Sequence, residues 1–243
     1  MSRTPWLGAA VPRLIDLRWP GARSSGIART RLIDDYISAS LRESVDQVVI
    51  LGAGFDCRAY RIAGIEKICV FEIDHPVTLS KKKEGVRHIF GALPKHVVYV
   101  DVDFNTQSLG QAMQDSGFNA TERSFFIWEG VTNYRTEQAV DSTLSYIGGV
   151  RGSRVVFTYV HRGVLDGSAT FAGTRHVWNT LQRAGETWTF GFYPELLQAY
   201  LAERGLDLME DVGASEYRGR YLGAYGRRMT GYEFYRVASA RSR

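Results

Sequence analysis

Cysteine is scarce in this sequence, with only Cys57 and Cys69 among 243 residues and no C-x-x-C spacing between them. A disulfide-stapled secreted domain is therefore not expected, and both side chains should be reduced thiols. Long apolar runs are also missing, because no stretch approaches the roughly 18 uninterrupted apolar residues of a membrane-spanning helix. The first residues, with Arg3 and Pro5, lack the apolar core of a secretory signal. We therefore expect a cytoplasmic protein that does not engage a membrane.

Strong charge of one sign is absent as well. Lysine and arginine total 30 and aspartate and glutamate 26, which leaves a formal net charge of +4. The surplus is spread along the chain, and its tightest run, residues 81–83, indicates a solvated helix face rather than a phosphate-binding track. Nucleic acid is therefore not expected as a partner. The histidines show no metal-ligand spacing with each other or with the cysteines, so no metal is expected either.

What the chain does contain is an alternation of apolar strand-like runs and amphipathic helical stretches. With 44% hydrophobic residues, it can form one sizeable core, and we predict a single domain over residues 1–243. Alternation of this kind predicts a Rossmann-like α/β fold, a mainly parallel seven-stranded sheet with helices on both faces. The predicted strands cover residues 47–51, 67–74, 97–103, 124–129, 154–160, 206–212 and 232–238.

Two segments do not follow this alternation of strands and helices. Residues 1–26 carry tryptophans among prolines and glycines, which indicates an N-terminal cap before a helix over residues 27–41. Residues 166–191, after the fifth strand, are too long for a simple connection and predict a lid-like insertion. Its aromatic residues Phe171, Trp178 and Trp188 could line a flat pocket or form the core of the insertion. Substrate selectivity is expected to lie in these two segments.

The stretch 47–58, Q-V-V-I-L-G-A-G-F-D-C-R, changes abruptly from a buried strand to glycines. Gly52 and Gly54 allow a tight turn that exposes backbone N–H groups, as α/β proteins do beside nucleotide-like ligands. A dinucleotide fingerprint, G-x-G-x-x-G, would need a third glycine where this chain has Cys57. That difference lowers the expectation for a nicotinamide dinucleotide.

Each of the next three predicted strands ends in acidic residues. The second strand ends in Asp74, the third in Asp101 or Asp103, and the fourth in Glu129. One such acid could be a helix cap, but acids at consecutive strand ends favour a ligand at the edge of the sheet. A carboxylate in the position of Asp74 can accept two hydrogen bonds from a ribose diol. Asp103 with Phe104 suits an adenine amino group and ring face, and Asp101 is the alternative acid.

Three ordered motifs carry a resemblance to a known family: L-G-A-G-F-D-C-R-A-Y-R-I, V-F-E-I-D-H-P and W-E-G-V-T-N-Y. They resemble the leucine carboxyl methyltransferase and tetracenomycin-type polyketide O-methyltransferase family of class I S-adenosylmethionine-dependent enzymes. The resemblance implies a class I methyltransferase fold, S-adenosylmethionine as cofactor and S-adenosylhomocysteine as product. It maps the cofactor-binding positions onto Arg29 (with Arg31 in reserve), Gly52, Gly54, Asp74, Asp103, Phe104 and Glu129.

The chain departs from the family pattern at two positions. Cys57 replaces a small polar residue of similar size. Asn105 stands where the leucine carboxyl methyltransferases have an arginine that helps to bind the terminal carboxylate of a peptide. The resemblance to the bacterial small-molecule branch is therefore the closer one.

The expected reaction is O-methylation of a small molecule such as a polyketide-type metabolite, at a carboxylate or a hydroxyl. A carboxylate is already ionised at neutral pH, whereas a phenol with a pKa of about 10 would benefit from a base. Tyr134 and His161 are the candidates for that role. Methylation of a protein C-terminus, a nicotinamide-dependent oxidoreductase and a non-catalytic binding protein remain as alternatives, and the oligomeric state is left open.

Overall fold

The computed structural model describes residues 21–103 and 107–243. Its strands are β1 (Gln47–Leu51), β2 (Cys69–Asp74), β3 (Val97–Asp101), β4 (Ser124–Trp128), β5 (Arg154–Val160), β6 (Leu206–Val212) and β7 (Tyr235–Ser242). Its helices are α1 (Ala22–Arg42), α2 (Arg58–Arg61), α3 (Pro76–Phe90), α4 (Leu109–Asp115), α5 (Glu137–Gly149), α6 (Gly163–Asp166), α7 (Thr174–Ala184), α8 (Pro194–Ala202) and α9 (Ala214–Arg228). Short 3₁₀ turns cover Ile65–Lys67 and Thr132–Tyr134.

The strands form one sheet in the order β3-β2-β1-β4-β5-β7-β6. The strands from β1 to β5 pair in parallel, and β7 runs antiparallel to both of its neighbours. The prediction of a mainly parallel seven-stranded sheet is therefore confirmed. The strand order reverses between β2-β1 and β4, and in open α/β sheets a crevice for ligands forms at that point, outside the carboxyl ends of the strands.

Two apolar layers cover the sheet, one on each face. Alternate residues of β1 point to opposite faces, so Val49 and Leu51 join the core beneath α4, α5 and α8. Val48 and Ile50 join the core beneath α1 and α9. Because both faces are covered, every residue of β1 is buried, which explains its uninterrupted apolar sequence.

The first described helix starts earlier than its periodicity predicts. It begins at Ala22 rather than at residue 27, so residues 22–26 belong to α1 and not to a cap. Ser24, Ser25 and Gly26 have weak helix propensity and conceal this turn in the sequence. It forms because α9 packs against it: Arg218 Nη1 donates to Ser25 Oγ at 2.7 Å. The rest of the predicted cap, residues 1–20, lies outside the described residues.

The predicted insertion forms α7 and an extended return that pack above the carboxyl edge of the sheet. Trp188 and Val177 share an apolar cluster with Phe234, next to β7. Phe171 and Trp178 pack against the same cluster. The aromatic residues of the insertion therefore contribute to a core of their own, and Trp188 also lines a cavity described below.

Residues 81–83 do not all lie on a solvated helix face, as their charge suggests. Lys81 is exposed, but Lys82 is buried within α3, with 3% of its surface accessible. The expectation of a solvated run is therefore wrong at its central position. No helix in the described ranges is long and apolar enough to cross a bilayer.

Candidate active site

The glycine turn after β1 adopts a backbone that only glycine accepts readily. Gly52 has φ +66° and Gly54 has φ +42°, both in the left-handed region. A Cβ atom on Gly52 would lie 2.4 Å from Cγ2 of Val131. Glycine at position 52 thus lets the side chain of Val131 pack directly against the turn, whereas a Cβ atom on Gly54 would meet only the carbonyl oxygen of Gly52, at 3.8 Å.

Asp74 ties this turn to the end of β2. Its Oδ2 accepts a 2.6 Å hydrogen bond from Gly54 N, and its Oδ1 accepts one of 2.6 Å from His75 N. The N–H of Ala53 donates to the carbonyl of Ile73 at 2.9 Å. Each carboxylate oxygen retains a second lone pair. Asp74 is therefore oriented by backbone groups and keeps acceptor capacity for hydroxyl donors.

Glu129, directly after β4, lies between two arginines. Arg29 Nε is 2.8 Å from Glu129 Oε1, and Arg58 Nη1 is 2.7 Å from Glu129 Oε2. Burial opposes ionisation of this carboxyl, but the two guanidiniums outweigh it and hold its pKa below the ordinary value. Glu129 is therefore an ionised carboxylate at neutral pH, held in place from two sides.

Arg58 is the centre of the charge cluster and was not assigned a role from the sequence. Its side chain is 4% exposed and also pairs with Asp34, whose Oδ1 lies 2.8 Å from Arg58 Nε, and with Asp56. Burial disfavours its charged form, yet the surrounding carboxylates, Glu129 foremost, raise its pKa. The sequence signal that could have identified Arg58 is its position in the motif G-F-D-C-R, directly after the glycine turn.

Two cavities meet at the glycine turn. One, of about 360 Å³, is lined by that turn together with Arg29, Arg58 and Glu129. The other, of about 660 Å³, shares Leu51 and Gly52 with the first and continues between α4 and α5 past Ser108. One elongated ligand could therefore lie across the turn, with one end in each cavity.

The larger of these cavities also contains a cation that sequence reasoning missed. Arg135 lines it and lies near Asp74 and Asp103. Burial lowers the pKa of Arg135, and the two carboxylates partly offset that effect. Asp101, the alternative acid, is half exposed and lies 3.7 Å from Lys83 Nζ. Phe104, the predicted adenine neighbour, lies outside the described residues.

Arg29, the predicted cofactor-binding arginine, lies on α1, the helix before β1. Arg29 lines the 360 Å³ cavity, and its guanidinium lies 4.8 Å from the centre of the Tyr235 ring. Arg31, the reserve position, lies over Tyr221 at 5.3 Å instead. The structure thus brings Arg29, Gly52, Gly54, Asp74 and Glu129 to one edge of the sheet.

A third cavity, of about 300 Å³, adjoins the first and shares Arg29 and Gly130 with it. It lies beneath α7, and most of its wall is aromatic or apolar: Tyr134, Val177, Leu181, Trp188, Tyr232 and Tyr235. Tyr232 has φ +63°, a strained backbone for a residue with a side chain. Asn133 is buried in the same wall, and no described residue forms a hydrogen bond with its Oδ1.

The two candidate bases lie in different surroundings. Tyr134 lines the third cavity and donates to Glu186 Oε2 at 2.8 Å, and partial burial raises its pKa. His161 is not among the described side chains that line the three cavities. Its Nδ1 accepts from Gly163 N at 3.0 Å, and burial lowers its pKa. Only Tyr134 is brought to the cavity wall.

A larger groove of about 1060 Å³ lies at the other edge of the sheet, between the loops that precede β1 and β4. Its charged residues Arg123 and Asp46 pair with each other at the surface. Oriented backbone donors and an ionised, buried carboxylate occur instead at the carboxyl edge, where we place the site. Among the described residues, no group of three His, Cys, Asp or Glu side chains is arranged to hold a metal ion.

The profile of the leucine carboxyl methyltransferase family matches residues 9–148, more than half of the 243 residues. A candidate S-adenosyl-L-methionine-dependent methyltransferase of Mycobacterium sp. (strain KMS) is 34% identical over 193 residues, which cover 73% of this chain and 60% of that protein. One from Bacillus subtilis is 28% identical, over 78% of this chain and 63% of its own length. The chain thus spans less than two thirds of these relatives.

Solved structures share the architecture at low sequence identity. A DUF574 family protein from Streptomyces avermitilis aligns over 95% of this chain and 88% of its own, with a TM-score of 0.66 and 13% identity. Magnesium protoporphyrin IX methyltransferase from Synechocystis, solved with bound S-adenosylhomocysteine, aligns over 89% of this chain and 84% of its own, with a TM-score of 0.53 and 9% identity. These similarities show the class I methyltransferase fold.

Proposed function

This chain belongs to the leucine carboxyl methyltransferase family, and from that premise we propose that it binds S-adenosylmethionine and methylates an oxygen atom of a small molecule. The observation that carries the proposal is the arrangement at the carboxyl edge. There, a glycine turn and the Arg29–Glu129–Arg58 cluster border connected cavities, and Asp74, which accepts a hydrogen bond from Gly54 of that turn, keeps acceptor capacity for a ribose.

The donor set suits this cofactor from end to end. The amino acid end of S-adenosylmethionine carries a carboxylate and an ammonium, which match Arg29 and Glu129. Its ribose diol matches the remaining lone pairs of Asp74, and Gly52 and Gly54 line the smaller cavity that would take the ligand. When bound, S-adenosylmethionine supplies a methyl group activated on a sulfonium. The protein's contribution is then to orient the acceptor and exclude water.

The 300 Å³ cavity is our candidate for the acceptor pocket, because it adjoins the proposed methionine end at Arg29 and Gly130. Its aromatic walls suit a flat molecule, as expected for a polyketide-type metabolite. Arg29 is its only lining cation among the described residues, and that cation is already paired with Glu129. This favours a hydroxyl acceptor over a carboxylate.

If the acceptor is a phenol, Tyr134 is better suited to orient it than to deprotonate it. A raised pKa keeps the Tyr134 hydroxyl protonated near neutral pH, and its bond to Glu186 already uses its proton. His161 could act as a base only if the carboxyl edge were arranged differently, so that His161 touched the acceptor. The role of His161 as a base stays a prediction.

Calorimetric titration with S-adenosylmethionine and S-adenosylhomocysteine tests cofactor binding, with NADH and NADPH as the competing ligands. Binding of a nicotinamide cofactor but not of either sulfur compound would favour the oxidoreductase alternative. Incubation with methyl-labelled S-adenosylmethionine and an extract of the source cells then identifies the acceptor. Label in the small-molecule fraction supports the proposal, whereas label on protein C-termini supports the alternative. Cell fractionation tests the cytoplasmic location that we include in the proposal.

Replacing Asp74 by alanine should weaken binding of S-adenosylhomocysteine by about 10- to 100-fold, through lost charge-assisted hydrogen bonds to the ribose. Calorimetry measures the dissociation constant. Asp207→Asn is the matched control, because Asp207 is half exposed and ion-paired with Arg243 at the start of β6, away from the carboxyl edge. Equal affinities of the Asp74→Ala variant and the unmodified protein would refute the ribose assignment.

Replacing Tyr134 by phenylalanine should raise the KM of the acceptor severalfold and leave the dissociation constant of S-adenosylhomocysteine unchanged. The physical reason is that the variant keeps the ring of the cavity wall but loses its hydroxyl. Steady-state kinetics with the labelled acceptor measures the effect, and Tyr225→Phe, at an exposed position, is the control. A change in cofactor affinity with no change in KM would place Tyr134 outside the acceptor pocket.

A further inference from the structure

Lys82 of α3 is buried, whereas the lysines on either side of it, Lys81 and Lys83, are not. Lys82 is 3% accessible, and Glu72, on β2, is completely buried. Lys82 Nζ lies 2.8 Å from Glu72 Oε1, and Glu72 Oε2 accepts a 2.7 Å hydrogen bond from Tyr60. Replacing a buried ion pair by apolar residues of the same volume is often neutral or even stabilising. Stability therefore does not explain why this lysine lies inside the fold.

Lys82 has a second contact, with the glycine turn. Its Nζ donates to the carbonyl oxygen of Ala53 at 3.3 Å. The same oxygen accepts from Asp56 N at 2.8 Å. The carbonyl of Ala53 and the N–H of Gly54 belong to one planar peptide unit, and that N–H donates to Asp74 Oδ2 at 2.6 Å. Lys82 and Asp74 thus hold opposite ends of a single peptide.

The Ala53–Gly54 peptide needs to be held because glycine has little steric restriction on its φ angle. Gly54, at φ +42°, can occupy positive or negative φ with little cost, so the peptide before it can flip. A flip would withdraw the Gly54 N–H from Asp74 and turn a carbonyl oxygen towards it. The loop would then have to be reordered when a ligand binds, which costs affinity.

We propose that Lys82 is a positioning residue, whose buried ammonium, anchored by Glu72, fixes the Ala53–Gly54 peptide so that Asp74 faces the ligand. The proposal rests on the proposed function for the identity of that ligand, S-adenosylmethionine. The orientation of the peptide itself is a property of the ligand-free protein. Lys82 touches neither cofactor nor acceptor in this role.

The test compares the double variant Lys82→Met/Glu72→Met with the unmodified protein and with Lys81→Met, which changes the exposed neighbour. The double substitution removes both buried charges together, and the Tyr60 hydroxyl keeps its 3.0 Å contact with the Tyr99 hydroxyl. Hydrogen exchange of the Gly54 amide without ligand, the melting temperature and the dissociation constant of S-adenosylhomocysteine are measured.

In the double variant we expect the Gly54 amide to exchange about tenfold faster or more, and S-adenosylhomocysteine to bind about tenfold more weakly, as for one lost hydrogen bond from a charged donor. The melting temperature and the exchange of strand amides should match those of Lys81→Met. A purely structural role of Lys82 would instead lower the melting temperature and accelerate exchange throughout the sheet.

Unchanged protection of the Gly54 amide in the folded double variant would overturn the proposal. If the double variant does not fold, Lys82→Met removes the same donor to Ala53, with the Glu72 carboxyl able to take up a proton because burial raises its pKa. Failure of the unmodified protein to bind either sulfur compound would refute the proposed function. The exchange of the ligand-free Gly54 amide still decides the role of Lys82 in that case.

Discussion

The Arg58→Met variant is expected to lose at least about 3 kcal/mol of unfolding free energy, together with measurable cofactor binding. Arg58 is nearly fully buried and is shared by Asp34, Asp56 and Glu129. Methionine would fill much of its volume but would leave the carboxylates without their common cation. Removing one partner of a buried ionic group is much more costly than replacing the whole group, because the remaining charges stay desolvated.

Urea denaturation measures this loss, and Arg61→Met is its matched control. Arg61 pairs with the same Asp34, at 2.7 Å, but its side chain is 38% exposed. An ion pair at such a position contributes at most about 1 kcal/mol. The two variants should therefore differ by at least about 2 kcal/mol. Similar losses for both would mean that burial does not decide the contribution of Arg58.

The Glu129→Gln variant is expected to bind S-adenosylhomocysteine about 10- to 100-fold more weakly, because a neutral amide cannot form charge-assisted hydrogen bonds with an ammonium group. The side chain keeps its shape, and Arg58 keeps Asp34 and Asp56 as partners. The loss should therefore appear in binding more than in folding.

A ligand without the amino acid end makes this assignment specific. 5′-Methylthioadenosine carries the nucleoside but neither the carboxylate nor the ammonium. Calorimetry should show that Glu129→Gln leaves its affinity unchanged, whereas Asp74→Ala weakens both ligands. Weaker binding of 5′-methylthioadenosine to Glu129→Gln would show that Glu129 acts on the nucleoside side or on the whole fold.

The pH dependence of binding follows from the same carboxyl. Two guanidiniums lower the pKa of Glu129 from its ordinary value of 4.5. A carboxyl with a depressed pKa is fully ionised above its ordinary pKa. Its interaction with the ammonium of the ligand is therefore complete there and is lost as the pH falls through the depressed pKa. The Glu129-dependent part of the affinity should therefore be constant from about pH 8 to about pH 5 and decline only below about pH 4.5. The Glu129→Gln variant should lack that decline.

The charge cluster also bears on the oxidoreductase alternative. A pyrophosphate group at the start of α2 would bring negative charge towards Asp56 and Glu129, which are ion-paired with Arg58. The zwitterionic end of an amino acid carries one positive and one negative charge. It can therefore form ion pairs within this cluster without net electrostatic repulsion. This contrast supports the proposal of S-adenosylmethionine.

The sequence by itself determined the sheet and the edge at which the candidate site lies. Strands β1 and β5 are buried almost throughout, so their apolar runs have the predicted bounds. Strand β6, at the edge of the sheet, also has the predicted bounds. Gly52, Gly54, Asp74 and Glu129 were recognisable because turn chemistry and the ends of strands are local features of a chain. Their common position then follows from parallel pairing.

Only the tertiary structure decided which charged residues lie inside. Helix α9 was not predicted, since Gly219, Gly223 and Gly226 lower its propensity; its packing on α1 stabilises it. Lys82 and Arg58 resemble surface charges in the sequence, because burial of a charge depends on partners distant along the chain. Glu72 and Ala53 hold Lys82, and Asp34 and Glu129 hold Arg58. Such pairings are formed by the fold as a whole, and no local pattern encodes them.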